Sequence, residues 1–254
     1  ALICCAALLP LTLTRLTEPQ TPEAPRLRPR LALDRSPLAV AGVLVAALTS
    51  SSFRMVGPIY GQEVGLAVGQ IAWFLAAWVL GGALAQYPVG WLADRYDRRR
   101  VLIWLSVAAM AGCAVTVAAA GAGTAAVFGA AVLFGLVSFP IFSVSAAHAH
   151  DFADSAERVE LSAALMFWFA LGAIASPLAA STAIEAFGPE ALFALIAAGH
   201  GGLVLFGLVR MRARPARAER TPYVWLPRTS FTIGRLFAQR REAERRDRVD
   251  PDQG

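Results

Sequence analysis

A chain of 254 residues that is 57% hydrophobic and only 16% charged departs from soluble domains, which run at about 25% charged. Its formal charge of +5 comes from 23 basic residues, all arginine, placed in loops and tails around apolar runs. That placement points to membrane topology and away from a nucleic-acid partner, and three cysteines, two of them adjacent, give no disulfide framework.

Residues 1–13 open apolar with no basic region before them, so they read as the back end of a span that starts upstream, not as a signal peptide. Residues 14–35, TRLTEPQTPEAPRLRPRLALDR, are rich in Pro, Arg and acidic residues and read as a linker. Six apolar runs of membrane-crossing length follow within 36–210, at about 37–57, 69–91, 101–120, 124–147, 160–183 and 190–210. None alternates polar and apolar residues as a transmembrane strand does, so all six are predicted helices and the fold class is an all-α polytopic membrane protein. The tail, 211–254, carries RMRARPARAER across its start and RREAERRDRVD near its end. It reads either as a clamp on anionic lipid or as a solvated chain with a short helix.

Alternate loops are basic. Arg15, Arg26, Arg28, Arg30 and Arg35 precede the first span, Arg95 and Arg98 to Arg100 follow the second, Arg158 follows the fourth, and Arg210, Arg212, Arg214 and Arg217 follow the sixth. The loops after the first, third and fifth spans hold no arginine. The positive-inside rule then puts both ends of the six-span unit in the cytoplasm.

Small residues mark expected helix contacts: Gly81, Gly82 and Ala85 in the second span, Gly199, Gly201 and Gly202 in the sixth. Pro88, Pro140 and Pro177 interrupt three spans, and such breaks survive in lipid where neighbours or a cavity satisfy the freed carbonyls. The expectation is a cavity-bearing bundle bordered by these three prolines.

Six of the eleven residues in GWLADRYDRRR, 90–100, are charged, between two apolar spans. Gly90, Asp94-Arg95 and Arg98-Arg99 resemble the signature loop of the major facilitator superfamily, roughly G-x-x-x-D-R-x-G-R-R. QYPVGWLADR and LGAIASP are similar to segments of that family's small bacterial permeases. The resemblance covers about residues 1–212. It implies a twelve-helix transporter of the bacterial inner membrane, built from two six-helix halves, of which this chain is the C-terminal one; the N-terminal half is a missing partner. It further implies that Asp94 is a latch carboxylate at the cytoplasmic face, with Arg95, Arg98 and Arg99 its partners. The physical reading is compatible: an aspartate at a helix end caps amides, and arginines pair with carboxylates and lipid phosphates. The bare reading, that these arginines only set topology, stands beside it. One departure concerns the turn, because Asp97 stands where the family has Gly and accepts a left-handed conformation less readily.

Arg54, in the outer part of the first span, either faces a central pathway and meets an anionic group or reaches the nearby interface. Ser50, Ser51, Ser52, Tyr60, Gln86, Ser138, Ser143, Ser145 and Trp168 are candidates to line the same cavity, each with helix packing as its alternative. His200, beside glycines in the sixth span, is either proton-linked or packed. His148 and His150 in HAHD are two apart and point away from each other on a helix, so no metal site is expected, and no cofactor. Glu63, Glu160, Glu185 and Glu190 all lie near span ends, leaving no carboxylate deep in the bilayer to carry a proton. The expected function is transport of a small solute, weakly indicated as anionic by Arg54. The competing reading is a six-span Ser/His hydrolase using Ser138 and a histidine, against which no G-x-S-x-G setting exists.

Overall fold

The computed structural model describes residues 27–213, and the expectations for 1–26 and for the tail beyond 213 lie outside the described residues. Its helices are α1 (Pro29–Arg35), α2 (Pro37–Glu63), α3 (Val68–Arg95), α4 (Arg98–Ala119), α5 (Thr124–Ser138), α6 (Ile141–His150), α7 (Arg158–Phe187) and α8 (Ala191–Ala213). Taking α5 and α6 together, six segments among the described residues are long and apolar enough to cross a membrane. They form an all-α bundle of successive spans, with the arginine-bearing loops at one end and the arginine-free loops at the other.

Local chemistry sets the boundaries. Ser36 caps α2, its Oγ accepting the Ala39 N–H at 3.2 Å, and Pro37 fills the first helical position, where no N–H is needed. The Gln70 side chain reaches back to the Ala67 N–H at 2.9 Å and closes the start of α3. Gly123 at φ 96° and Gly188 at φ 88° turn the chain into α5 and out of α7, conformations that side chains with a Cβ resist.

Two expectations need correction, and the departure at Asp97 finds its physical account. The first span continues through Pro58 to Glu63, because a proline costs one ladder bond, here to the Arg54 carbonyl, without forcing the helix to stop. Pro88 and Pro177 likewise sit inside continuous helices, and only Pro140 divides a span, between α5 and α6. The turn at Asp97 is not left-handed: its φ is −62°, and its carboxylate accepts the Arg99 N–H at 3.0 Å as the N-cap of α4.

The tightest helix crossing joins α3 and α5. A Cβ on Gly81 would strike the Val132 carbonyl, and one on Gly135 would strike the Trp78 carbonyl. Gly82 lies under the Phe139 ring, Gly42 of α2 faces Ser145 of α6, and Gly199 faces Leu48. Gly202, read from the sequence as a contact, has open space around it, and Gly201 makes only ordinary contact with Met110. Around the crossing, Phe53, Tyr60, Phe74, Trp78, Phe134 and Phe193 form one buried aromatic cluster; Phe53 and Trp78 have ring centroids 4.9 Å apart. The exposed surface along the spans is apolar, as Ile174, Leu178, Leu205 and Val209 show. Tyr87, Trp91, Tyr96 and Trp104 are exposed near the arginine-rich end, the level at which amphipathic rings favour a membrane interface.

The described part of the predicted linker is not featureless. Leu31 and Ala32 of α1 are buried in one cluster with Leu161, Ala164 and Leu165 of α7, and the Trp168 indole donates to the Pro29 carbonyl at 3.0 Å. Arg28 pairs with Glu160 at 3.2 Å, and Arg35 with Glu157 at 2.5 Å and with Asp154 at 3.4 Å. The Arg35 hydrogen bond holds the Glu157 carboxyl below its ordinary range, and the same bond holds the Arg35 guanidinium above its own.

Candidate functional site: a mid-height cleft and a charged end

A cleft of about 220 Å³ opens between α2, α3, the α5–α6 span and α7. Ala46, Thr49, Ser50 and Arg54 border it from α2, at the spacing that puts residues on one helix face. Trp78 and Gln86 border it from α3, Ser138, Phe139, Phe142 and Ser143 from both sides of Pro140, and Met166 and Phe169 from α7. At 1.5 Å rise per residue, these positions stand roughly 10 to 26 Å from the arginine-rich helix ends, inside a ~30 Å hydrocarbon layer.

Among the described residues, Arg54 is the one formal charge that borders the cleft, and no carboxylate lines it. Its guanidinium lies 5.7 Å from the Trp78 ring centroid, within cation–π range. That indole is fixed in turn: Nε1 donates to Ser138 Oγ at 3.2 Å, and the Ser138 hydroxyl donates to the Phe134 carbonyl at 2.6 Å. Ser50 donates to the Ala46 carbonyl at 2.7 Å. Thr49 carries the wall inward, its Oγ1 lying 3.1 Å from Nε2 of the fully buried His200.

Of the residues read from the sequence as pathway candidates, Arg54, Gln86 and Ser138 border this cleft, with Ser50 and Ser143. Tyr60 does not: it is fully buried in the aromatic cluster and donates to the Thr116 carbonyl at 3.1 Å. Trp168 is turned away toward α1, and His200 stands behind Thr49. Ser52 is buried and donates to the Ser176 carbonyl, and Ser145 is buried against Gly42. Nor do the three prolines share the cavity, since only the residues around Pro140 border it. Sequence reading missed Thr49, Trp78 and the rings Phe139, Phe142 and Phe169. The three- and four-residue spacing of Ala46, Thr49, Ser50 and Arg54 was the available signal; the aromatic wall gave none, because apolar residues surround it in sequence.

At the charged end, Arg98 is the centre. Its guanidinium donates to the Ala147 carbonyl at 2.8 Å and to Asp151 at 2.5 Å, and meets Asp94 at 3.3 Å. A cation thus sits on the C-terminal end of α6, where free carbonyls and the helix dipole favour it. Arg99 pairs with Asp97 at 3.2 Å, Arg95 lies over Trp91 at 5.3 Å, and Gly90 is exposed with open space around it. His148 and His150 face different neighbours: His148 is buried beside Phe152, and His150 lies 3.2 Å from Ser162 Oγ.

The family model of the Major Facilitator Superfamily matches residues 39–243. An uncharacterised MFS-type transporter of Enterobacter sp. (strain 638) is 28% identical over 219 residues, 85% of this chain and 55% of that protein. One of Yersinia pestis (strain Pestoides F) is 27% identical over 220 residues, with the same coverage, and YcaD of Salmonella heidelberg (strain SL476) is 28% identical over 195 residues. The crystal structure of the POT family transporter PepTSo superposes with a TM-score of 0.62 at 18% identity, over 82% of this chain and 42% of that one, a likeness of fold. The chain spans about half the length of the curated relatives it matches. With six spans, the charged loop after the second and a family match over most of its length, this chain belongs to the Major Facilitator Superfamily.

Proposed function

We propose that this chain is the C-terminal half of a secondary-active carrier that moves a small solute with an anionic group by alternating access. The cleft is this half's share of a pathway near the bilayer midplane, and an N-terminal six-helix half closes it from the other side. Relatives about twice as long support that arrangement. Arg54 carries the solute reading: it is a cation facing a cleft that no described carboxylate lines, and a charge at the centre of the bilayer costs up to ~2.5–3.5 kcal/mol unless it is compensated. The Trp78 ring holds it loosely enough to exchange partners. The arginine-rich end faces the cytoplasm of a bacterial inner membrane by the positive-inside rule. Gly90, Asp94 and Arg95, on the exposed side of that end, meet the missing half as a latch.

A hydrolase is the weaker reading. The Ser138 hydroxyl is taken by the Phe134 carbonyl and the Trp78 indole, and His200 pairs with Thr49 instead. Two measurements test the carrier. The intact mass of the native protein should be near twice 26.9 kDa. In proteoliposomes of that full protein, Arg54→Gln should weaken uptake of organic anions at least tenfold, as expected for losing a charge-assisted bond, and Arg54→Lys should restore part of it. Uptake of every anion unchanged in Arg54→Gln would remove Arg54 from the pathway.

A further inference from the structure

The mid-height cleft is graded along its length, and the grading bears on the body of the solute as well as on its charge. Arg54 and Trp78 both stand roughly 26 Å from the arginine-rich helix ends at 1.5 Å per residue. On the same rise, Phe139 and Phe169 stand roughly 16 Å away, and Phe142 and Met166 roughly 12 Å. The charge therefore sits at one level and an apolar wall at the next. Cα–Cβ bonds tilt toward the start of a helix, and α2 starts at the arginine-rich end, so Arg54 is aimed toward the level of the rings. Two ring pairs build the wall: Trp78 with Phe139, centroids 5.1 Å apart, and Phe142 with Phe169 at 5.3 Å.

The hydroxyls along the cleft are mostly committed. Ser50 donates to the Ala46 carbonyl at 2.7 Å, Ser138 donates to the Phe134 carbonyl at 2.6 Å, and Thr49 Oγ1 is paired with His200 at 3.1 Å. A hydroxyl that gives its proton to its own helix has little to offer a solute bearing many hydroxyl groups. The polar lining residues exposed at the cleft are Arg54, Gln86 and Ser143. Of these only Arg54 is charged, so the described wall neutralises one negative charge and not two. An apolar cavity of roughly 150 Å³ holds benzene, so about 220 Å³ leaves room for one ring and a short chain.

We propose that the solute is an arylalkyl monocarboxylate, its carboxylate on Arg54 and its ring, spaced from the charge by a short alkyl chain, against Phe139, Phe142, Phe169 and Met166. A solute exists only under the carrier reading, on which this assignment rests, so binding and uptake are measured apart. The probe is 4-phenylbutyrate, titrated while thermal unfolding of the full-length protein is followed in neutral detergent. Its saturation midpoint should lie at least about tenfold below those of butyrate, the charge without the ring, and 4-phenylbutyramide, the ring without the charge. The amide also controls for partition into detergent. Arg54→Gln should erase the preference for acid over amide. Phe142→Leu should weaken 4-phenylbutyrate roughly fivefold and leave butyrate unchanged. Met166→Gln, at a residue 54% exposed and so of little weight in folding, should act in the same direction. Uptake of radiolabelled 4-phenylbutyrate into proteoliposomes then separates the two readings. Binding in this pattern without uptake keeps the site and fails the carrier. Uptake of lactate or succinate, with 4-phenylbutyrate binding no tighter than butyrate, keeps the carrier and overturns the solute class. Stabilisation by succinate or glucose 6-phosphate at lower concentration than by 4-phenylbutyrate, or no saturable stabilisation by 4-phenylbutyrate, overturns it as well.

Discussion

Gly135→Ala tests whether the bundle depends on the backbone contact between α3 and α5. An added Cβ would sit 2.9 Å from the Trp78 carbonyl carbon and 3.1 Å from the Gly82 nitrogen, and closer still to the Trp78 oxygen. These are backbone atoms, so no rotamer change relieves the overlap and the helices must separate by roughly 1 Å. A gap of that size forfeits a quarter to a half of the dispersion energy of each contact it opens, and overpacking in a tight core costs about 1–3 kcal/mol. Alanine gives back up to about 1 kcal/mol through helix propensity. The net loss is about 1–2 kcal/mol, a fall of roughly 2–8 °C in Tm for a chain this size, read by tryptophan-fluorescence melting in detergent. Gly129→Ala is the internal control, in the same helix but with open space around its Cβ, and should be neutral or stabilising. Combining Gly81→Ala with Gly135→Ala should cost less than the sum, because one separation relieves both overlaps. Equal melting of Gly135→Ala and Gly129→Ala would refute the close crossing.

Three further outcomes follow from the charged end. Arg98→Ala strips a bond from the Ala147 carbonyl and a partner from Asp151 and should cost about 1 kcal/mol of stability. Asp94→Asn, touching only an exposed pair at 3.3 Å, should cost about 0–0.5 kcal/mol; equal losses in melting would contradict the contacts described. Glu157 has its folded pKa depressed by Arg35, so its contribution is fully present above the ordinary carboxylate range and is lost as pH falls through its lowered value. Glu157→Gln should therefore flatten the acid side of the stability profile below about pH 4.5 and leave the neutral side sloped as before, as melting at stepped pH would show. At the N-cap of α4, Asp97→Ala should cost about 1 kcal/mol and Asp97→Gly only a few tenths, and the reverse order would rule out the cap.

The membrane class, the six spans and the alternation of basic and bare loops are legible because each rests on a run of residues: about twenty apolar positions, or several arginines together. The cleft was legible only where polarity stands out against apolar sequence, at Ser50, Arg54, Gln86, Ser138 and Ser143. Tyr60 shows why the rest was not. A tyrosine near a span end reads equally well as pathway or as core, and a carbonyl in the last turn of α4, 56 residues along the chain, decides the matter. Gly135 was invisible for a similar reason, since a glycine's role lies in what approaches it, while Gly202, equally small, is approached by nothing. The linker helix α1 depends on burying two apolar residues against α7, a long-range gain that a Pro- and Arg-rich stretch does not advertise.

The motif loop illustrates how a departure from a family pattern is absorbed. Were the position of Asp97 a left-handed turn, exchanging glycine for aspartate would strain it; at φ −62° it is an N-cap, and glycine and aspartate are both favoured there. The aspartate adds a carboxylate bonded to Arg99, which steadies the start of α4. Arg98, one residue on, spends its fork on α6, so within this half the loop is a brace that ties the second, third and fourth spans together. Gly90 and Arg95 stay on the outer side, one offering bare backbone and the other a cation resting on Trp91. In the carrier proposed here the two faces divide the work. The inner contacts keep three helix ends moving as one body, and the outer face is what another helix can meet and leave during each cycle.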